Sequence, residues 1–400
     1  MSTERVAVVV AGAGARGSYE AGVLSVLVPR LREDAAGPLT FVGTSAGAIN
    51  AALLAASAHL PPQDQADAVL AIWRELSVSK VYRSPVLSFP GVAARFGGQF
   101  LHVPGVRLTG LLDTARLGRT ARDAADWKQL RRNLAGGSAA LAVVTTSGAD
   151  NRTVVFVDRA AGEPLPRSDD DRPIDYFAAQ IVAEHVLASA AIPVLFPPVR
   201  VPGAEGGGGW YLDGGVRLNA PLKPALALGA KAVAVVATHP AIDTDRPGEP
   251  AAGGGAPDVD DTIVRLIDAA LVDRMVEDVR TLAKVNTLVA AGAESGHEVI
   301  PYLLAGPAER GTLGRLAAEI FDQRRRVRGL RQSEMRVLGR FLVGDGPRRG
   351  DLLSYLFFDH DFIEASIELG QRDAEALLGG TGPGEMPWQT GRLPLLAAMS

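Results

Sequence analysis

The chain contains no cysteine. This excludes a disulfide framework, a thiolate nucleophile and any cysteine-ligated metal, and it leaves the compartment unread by redox chemistry. Charge imbalance is also slight: the formal net charge is -4 over 400 residues, so there is no electrostatic basis for a polyanion and nucleic acid is not expected as a partner. Nowhere do about 18 to 20 apolar residues run uninterrupted, the length a membrane-spanning helix needs. The opening residues, MSTERVAVVVAGAGARG, hold one short apolar run that glycines end, with Glu4 ahead of it and no basic leader. They read as a strand rather than a secretory signal, and the cytoplasm is the expected compartment. His59, His102, His185, His239, His297 and His360 show no HExxH or other clustered spacing, so each is expected to be structural or exposed and no metal site is expected.

What is present is a chain with 47% hydrophobic and 22% charged residues. That is the balance of a globular protein with a sizeable core, and the length implies two domains or one large α/β domain with an added lobe. Arg5 to Ala11 is a β-branched run, and Ser18 to Arg32 places Tyr19, Val23, Val26, Leu27 and Leu31 near helical spacing. Pro29 is expected to end or kink that helix near its last turn. Leu39 to Gly43 reads as a second strand and Ala46 to Ala58 as a small-residue helix stopped by Pro61 and Pro62. Further strands are expected at Ala139 to Thr146, Thr153 to Val157 and Lys231 to Thr238. Strands alternating with helices predict an α/β fold with a mostly parallel, doubly covered sheet.

Val81 to Arg107 mixes Phe89, Phe96, Phe100 and Leu101 with glycine and proline and is a candidate cap over a site. Residues 240 to 261 are rich in Gly, Pro and Asp and read as a flexible linker or loop between a catalytic domain at 5–238 and a helical C-terminal extension at 262–380 expected to pack on that domain. Within that extension, helices are expected at Thr262 to Val289, Glu319 to Phe341 and Asp361 to Leu378. Asp169-Asp170-Asp171 reads as a solvated charge run.

Three motifs carry chemistry. Gly12-Ala13-Gly14-Ala15-Arg16-Gly17 follows a strand and precedes a helix, where glycines let successive N-H groups converge on an anion or oxyanion. It also fits the GxGxxG dinucleotide fingerprint, but a chain this rich in glycine holds about 0.5 such matches by chance. The acidic residue that a ribose would need at the second strand tip is absent, since Glu33 and Asp34 lie before that strand. At that tip stands instead Gly43-Thr44-Ser45-Ala46-Gly47, a GxSxG between strand and helix. This is the context of a nucleophile elbow, in which Gly43 and Gly47 avoid neighbouring backbone and Ser45 attacks an ester carbonyl. The bland reading of Ser45 is a helix cap, which the flanking glycines disfavour. The third motif, Trp210-Tyr211-Leu212-Asp213-Gly214-Gly215, is an aspartate at the end of an aromatic strand. Asp-Gly alone is usually a turn, yet an elbow serine requires a base, and partial burial would let Asp213 serve. The Ser, Asp, His order of other hydrolases could be met with His239 or His297, but such folds place several strands before the elbow and here only one precedes it.

In this order the three motifs resemble the patatin-like phospholipase family. The flanking segments GARGSYEAGVL at 14 to 24, GTSAGAINAAL at 43 to 53, ASAAIPVLFPPV at 188 to 199 and YLDGGVRLNAPLKPALALGA at 211 to 230 agree, as does LFFDHDFIEASIELGQRDAEALL at 356 to 378. The resemblance implies a three-layer α/β/α fold completed by the C-terminal helices. It also implies a lipid acyl hydrolase of phospholipase A, lysophospholipase or esterase type, working by a Ser/Asp dyad without histidine and without a cofactor. Carried over by position, Ser45 is the nucleophile, Asp213 the base, Gly12 to Gly17 the oxyanion loop, and Gly43, Gly47, Gly214 and Gly215 the supports of elbow and dyad. Family members often have glycine where this chain has Ala13. A positive φ there would be strained, and the intact GxGxxG positions are expected to hold the loop's shape. Arg16 fits the family's basic position, either steadying the loop or meeting a lipid phosphate. The implied partner is a lipid or phospholipid, with the arginine-rich stretch 324 to 340 read as an ion-paired, solvated helix or as a peripheral contact with anionic head groups. The competing readings are a non-catalytic protein that keeps this fold and a dinucleotide-binding oxidoreductase, the latter leaving Ser45 and Asp213 unexplained.

Overall fold

A computed structural model describes residues 5–81, 115–203, 207–240, 273–292, 298–327, 349–382 and 385–391. The candidate cap beyond Val81, the 241–261 stretch, the first part of the helix expected from Thr262 and the arginine-rich stretch beyond Val327 lie outside the described residues.

The first strand, β1 (Val6–Val10), is buried along its whole length. A single 3-10 turn, Gly14–Arg16, leads from it into α1 (Gly17–Asp34). Pro29 does not end α1, which continues to Asp34 with Leu27, Val28 and Leu31 fully buried. Tertiary burial of that face outweighs the one backbone bond that proline removes. Then come β2 (Thr40–Thr44), α2 (Ala46–Ala56) and α3 (Pro62–Glu75), followed by the short α4 (Val78–Val81), α5 (Ala115–Ala124) and α6 (Trp127–Ala135). Next are β3 (Ala140–Ser147), β4 (Thr153–Asp158), β5 (Ile174–Ala178), α7 (Ala183–Ser189), β6 (Val199–Val201) and β7 (Gly209–Asp213). The remaining elements are α8 (Leu222–Ala227), β8 (Ala232–Val236), α9 (Asp273–Ala290), β9 (Tyr302–Ala305), α10 (Thr312–Val327), α11 (Arg349–Leu356) and α12 (His360–Leu378).

These strands form one sheet in the order β5-β4-β3-β2-β1-β8-β9. The pairs β1/β2, β1/β8, β2/β3, β4/β5 and β8/β9 are parallel, while β3/β4, β3/β7 and β6/β7 are antiparallel. Alternation along the strands sends Val6, Val8, Val10, Phe41 and Val143 to a face covered by α1, α2, α3 and the C-terminal helices. Ala7, Val9, Val42, Val144 and Val235 meet Leu222, Ala225, Val279 and Leu282 of α8 and α9 on the other. The result is the expected three-layer α/β/α arrangement with a mostly parallel sheet.

The division at residue 238 does not follow the structure. Beyond it, β9 extends the sheet beside β8, and α12 packs along α1, with Gly22 and Gly370 letting the two backbones touch. The C-terminal region therefore packs on the rest of the fold with its helices and also adds a strand to the sheet. A four-residue strand has too little length to show a period.

Candidate active site

The register of the sheet brings Ser45 and Asp213 together. On one edge of β3, β4 pairs from Leu141 through Thr146. The other edge is shared end to end by β2, which closes with Thr44 opposite Val144, and by β7, which runs the opposite way and closes with Asp213 opposite Thr145. Two chain ends thus face each other across adjacent positions of one strand. Ser45 leaves β2 with φ +54° and ψ -126°, a left-handed conformation that costs a non-glycine residue about 1 to 3 kcal/mol. The turn is tight enough that a Cβ on Gly43 would lie 2.4 Å from the Gly47 carbonyl, and one on Gly47 2.4 Å from the carbonyls of Val10 and Ala11. Only glycine fits at either position.

At the turn, Ser45 Oγ donates to Asp213 Oδ2 at 2.6 Å, and Gly215 N-H donates to Asp213 Oδ1 at 2.7 Å. Ser45 is 4% and Asp213 2% exposed. Burial raises the Asp213 carboxyl from 3.8 to about 7, against the lowering effect of the Ser45 and Gly215 hydrogen bonds. The site thus holds a carboxyl poised near neutrality beside a hydroxyl. Gly214 lies directly against the Val144 carbonyl, where a Cβ would come within 2.4 Å.

Three supports were not expected from the sequence. Ser189, fully buried at the end of α7, accepts the Ser45 N-H at 2.9 Å and donates to the Val144 carbonyl at 2.6 Å. Two residues on, the Ala191 carbonyl accepts the Asp213 N-H at 3.0 Å. Thr146 Oγ1 donates to the Asp213 carbonyl at 2.9 Å. Ser189 falls within the ASAAIP segment, which was the only available signal for it.

The glycine loop lies against the elbow: a Cβ on Gly12 would come within 3.0 Å of Ser45 Cβ. Its N-H groups are not equivalent. Gly12 N-H is already taken by Asn219, at 2.9 Å from Oδ1 and 3.2 Å from the carbonyl. Those of Ala13 and Gly14 have no partner among the described residues. Ala13 takes φ -146°, and the positive φ falls on Gly14 at +56°, so the strain a positive φ would bring to Ala13 does not arise. Ala15 and Arg16 complete the 3-10 turn and Gly17 opens α1. Arg16 is 1% exposed, and its guanidinium is engaged by Asp351, Ser354 and His239. It steadies the loop and has no free face for a phosphate.

Among the described residues no histidine joins the pair, and His102 and His297 lie outside them. His239 meets Arg16 and Tyr355, and burial together with the charges of Arg16 and Arg310 holds it well below the ordinary histidine range. His185 packs edge-on to Phe156 and is lowered by burial to about 4. Asp169 pairs with Lys223, and Asp170, though 94% exposed, lies 3.6 Å from Arg152. Arg324 pairs with Asp359 and Asp361, each at 2.7 Å, which accords with the ion-paired reading for that one arginine. Among the described residues no cluster of three or more His, Asp or Glu could hold a metal, and no helix is long and apolar enough to cross a membrane.

No curated protein sequence matches the chain. Among solved structures it is similar to VipD from Legionella pneumophila, at 16% identity and a TM-score of 0.31, over 76% of this chain and 62% of that one. It thus spans less than two thirds of that relative's length. The family model for patatin-like phospholipases matches residues 8–226, a segment that contains the glycine loop, the elbow and Asp213. This match covers more than half of the chain, which therefore belongs to the patatin-like phospholipase family.

Proposed function

We propose that this protein is a lipid acyl hydrolase, of phospholipase A, lysophospholipase or esterase type, with Ser45 as nucleophile and Asp213 as general base. The observation that carries the reading is the 2.6 Å hydrogen bond from Ser45 Oγ, on a strained elbow, to a buried carboxyl raised to about 7. A base with that affinity for protons is matched to work near neutral pH. Asp213 takes the Ser45 proton as Oγ attacks the acyl carbonyl. The resulting oxyanion is held by N-H groups of the 12–17 loop, with Ala13 and Gly14 as the donors because Gly12 is committed to Asn219. Collapse of the tetrahedral species returns the proton to the leaving alcohol. Water then attacks the acyl-enzyme, Asp213 accepting its proton, and the fatty acid leaves as Asp213 passes that proton to Ser45 Oγ. Asp213 thus replaces the histidine of a triad, and its raised proton affinity is what permits the substitution.

The test is hydrolysis of a p-nitrophenyl acyl ester together with fluorophosphonate labelling at Ser45. Ser45→Ala and Asp213→Asn should both abolish turnover while circular dichroism stays native. Wild-type activity surviving either change would sink the dyad. The reading extends to contact with anionic lipid surfaces through the arginine-rich stretch 324 to 340, which the vesicle experiment in the Discussion addresses.

A further inference from the structure

Arg16 belongs to the glycine loop, yet almost everything that holds it comes from the far end of the chain. Its Nε donates to Ser354 Oγ at 2.7 Å, and one terminal nitrogen donates to both the Asp351 carbonyl at 3.1 Å and Asp351 Oδ1 at 3.0 Å. The other terminal nitrogen lies 3.1 Å from His239 Nε2, and the guanidinium carbon sits 4.1 Å from the centre of the Tyr355 ring. A guanidinium has no acceptor atom, so His239 Nε2 must accept and the ring proton must reside on Nδ1. The Tyr355 hydroxyl, 3.1 Å from the same nitrogen, can then only donate to it. Each group therefore has its role fixed by the next, and the buried cation is engaged through all three of its nitrogens.

The contact is not confined to side chains. Gly14, at φ +56°, lies with its backbone against that of Tyr355: a Cβ there would come within 2.4 Å of the Tyr355 carbonyl. Ala13 and Gly14, whose N-H groups have no partner among the described residues, thus belong to a turn whose back rests directly on α11. Residues Asp351, Ser354, Tyr355 and His239 all lie outside the segment 8–226 that defines the family.

We propose that α11 is a working part of the oxyanion loop, in which Asp351, Ser354 and Tyr355 are positioning residues that act through Arg16 to aim the Ala13 and Gly14 N-H groups at the reacting carbonyl oxygen. The inference rests on the hydrolase reading above. A hydrogen-bond donor misplaced by about 1 Å costs on the order of 100-fold in rate, so loosening this clamp is expected to act on turnover without touching the Ser45–Asp213 pair.

The experiment compares Asp351→Ala and Tyr355→Leu, which remove the carboxylate and the ring from the clamp, with Asp351→Asn and Tyr355→Phe, which keep an acceptor for Arg16 and the ring beneath it. Arg74→Ala serves as control. It breaks the α3–α12 ion pair with Glu364, disturbing the same C-terminal layer away from the loop. The readouts are kcat and KM on a soluble p-nitrophenyl ester, the inhibition constant of an acyl trifluoromethyl ketone whose oxyanion occupies the same position, and hydrogen exchange of residues 12–17.

Asp351→Ala and Tyr355→Leu should lower kcat about 10- to 100-fold with KM within about twofold. They should weaken the ketone by the same factor and speed exchange in the loop, while the conservative variants recover most of the loss and Arg74→Ala changes none of these. Wild-type kcat and ketone affinity in both emptied variants would overturn the inference, as would an equal loss in Arg74→Ala. If the wild-type protein neither turns over ester nor takes the fluorophosphonate on Ser45, the hydrolase reading fails by itself. Loop exchange then decides the clamp: faster exchange in Asp351→Ala upholds it and unchanged exchange overturns it.

Discussion

Replacing Asp213 by asparagine should make the protein more stable, and increasingly so as pH rises. Asp213 is 2% exposed and burial lifts its carboxyl from 3.8 to about 7. Because the folded value lies above the unfolded one, the folded state keeps a proton that the unfolded state gives up. The stability due to this proton is complete below about pH 4 and is lost as pH rises through about 7. At about 1.4 kcal/mol for each pH unit between the two values, the full loss is on the order of 4 kcal/mol. The amide of Asp213→Asn carries no such cost, keeps an oxygen for the Gly215 N-H and turns its NH2 toward Ser45 Oγ. The stability gap between variant and wild type should therefore widen by about 3 kcal/mol between pH 5 and pH 8.5. For a chain of this length that corresponds to a relative gain of about 3 °C in Tm. Urea unfolding at both pH values, followed by circular dichroism, measures the gap directly. A gap that is the same at pH 5 and pH 8.5 would show that Asp213 does not bear a burial cost, and the account of its basicity would fall with it.

The same carboxyl predicts that kcat/KM for a neutral ester rises with pH through about 7 and then levels off, since only ionised Asp213 can accept the Ser45 proton; a profile flat from pH 5 to pH 9 would exclude it as the base. Ser189→Ala leaves the Ser45 N-H and the Val144 carbonyl without a shared partner and should cost about 1 to 3 kcal/mol of stability. It should also lower kcat about 10- to 100-fold at unchanged KM, and equal kcat at matched folded fraction would reduce Ser189 to a packing residue. Changing Arg328, Arg331, Arg336 and Arg340 together to glutamine should reduce sedimentation with anionic vesicles by about 1 kcal/mol of binding per arginine that meets the surface. Undiminished sedimentation would remove that contact from the proposed function.

The parts of the site legible in the sequence are those whose chemistry is local. Gly43 and Gly47 flank Ser45 because two backbones pass within contact of them, and a short β-branched or aromatic run before each glycine motif marks the strand that delivers it. β1, β3, β4 and β8 fall where their apolar runs place them. β5 and β9 do not announce themselves, because Ile174–Ala178 is five residues broken by Asp175 and Tyr302–Ala305 is only four, both too short to show a period. Pro29 misleads for the opposite reason, as a strong local signal is overridden by burial against α12. The Arg16 clamp has no local signature at all, since its partners lie 223 and 335 to 338 positions away. Likewise, GxGxxG spacing alone does not reveal that Gly12 spends its N-H on Asn219.

Two features of the site cost stability: the left-handed backbone of Ser45 and the buried carboxyl of Asp213. Both are held by the same short segment at the end of α7. Ser189 takes the N-H of the strained Ser45 and Ala191 the N-H of Asp213, so the two residues are tied to one support as well as to each other. Ser189 also reaches the Val144 carbonyl, on the residue of β3 that sets the register of β2. On its outer side α7 is joined to α5 by the Arg122–Glu184 ion pair at 3.0 Å. That pair is partly exposed, so it contributes little to stability. Its consequence is geometric: through Glu184, α5 bears on the helix whose end holds both Ser45 and Asp213.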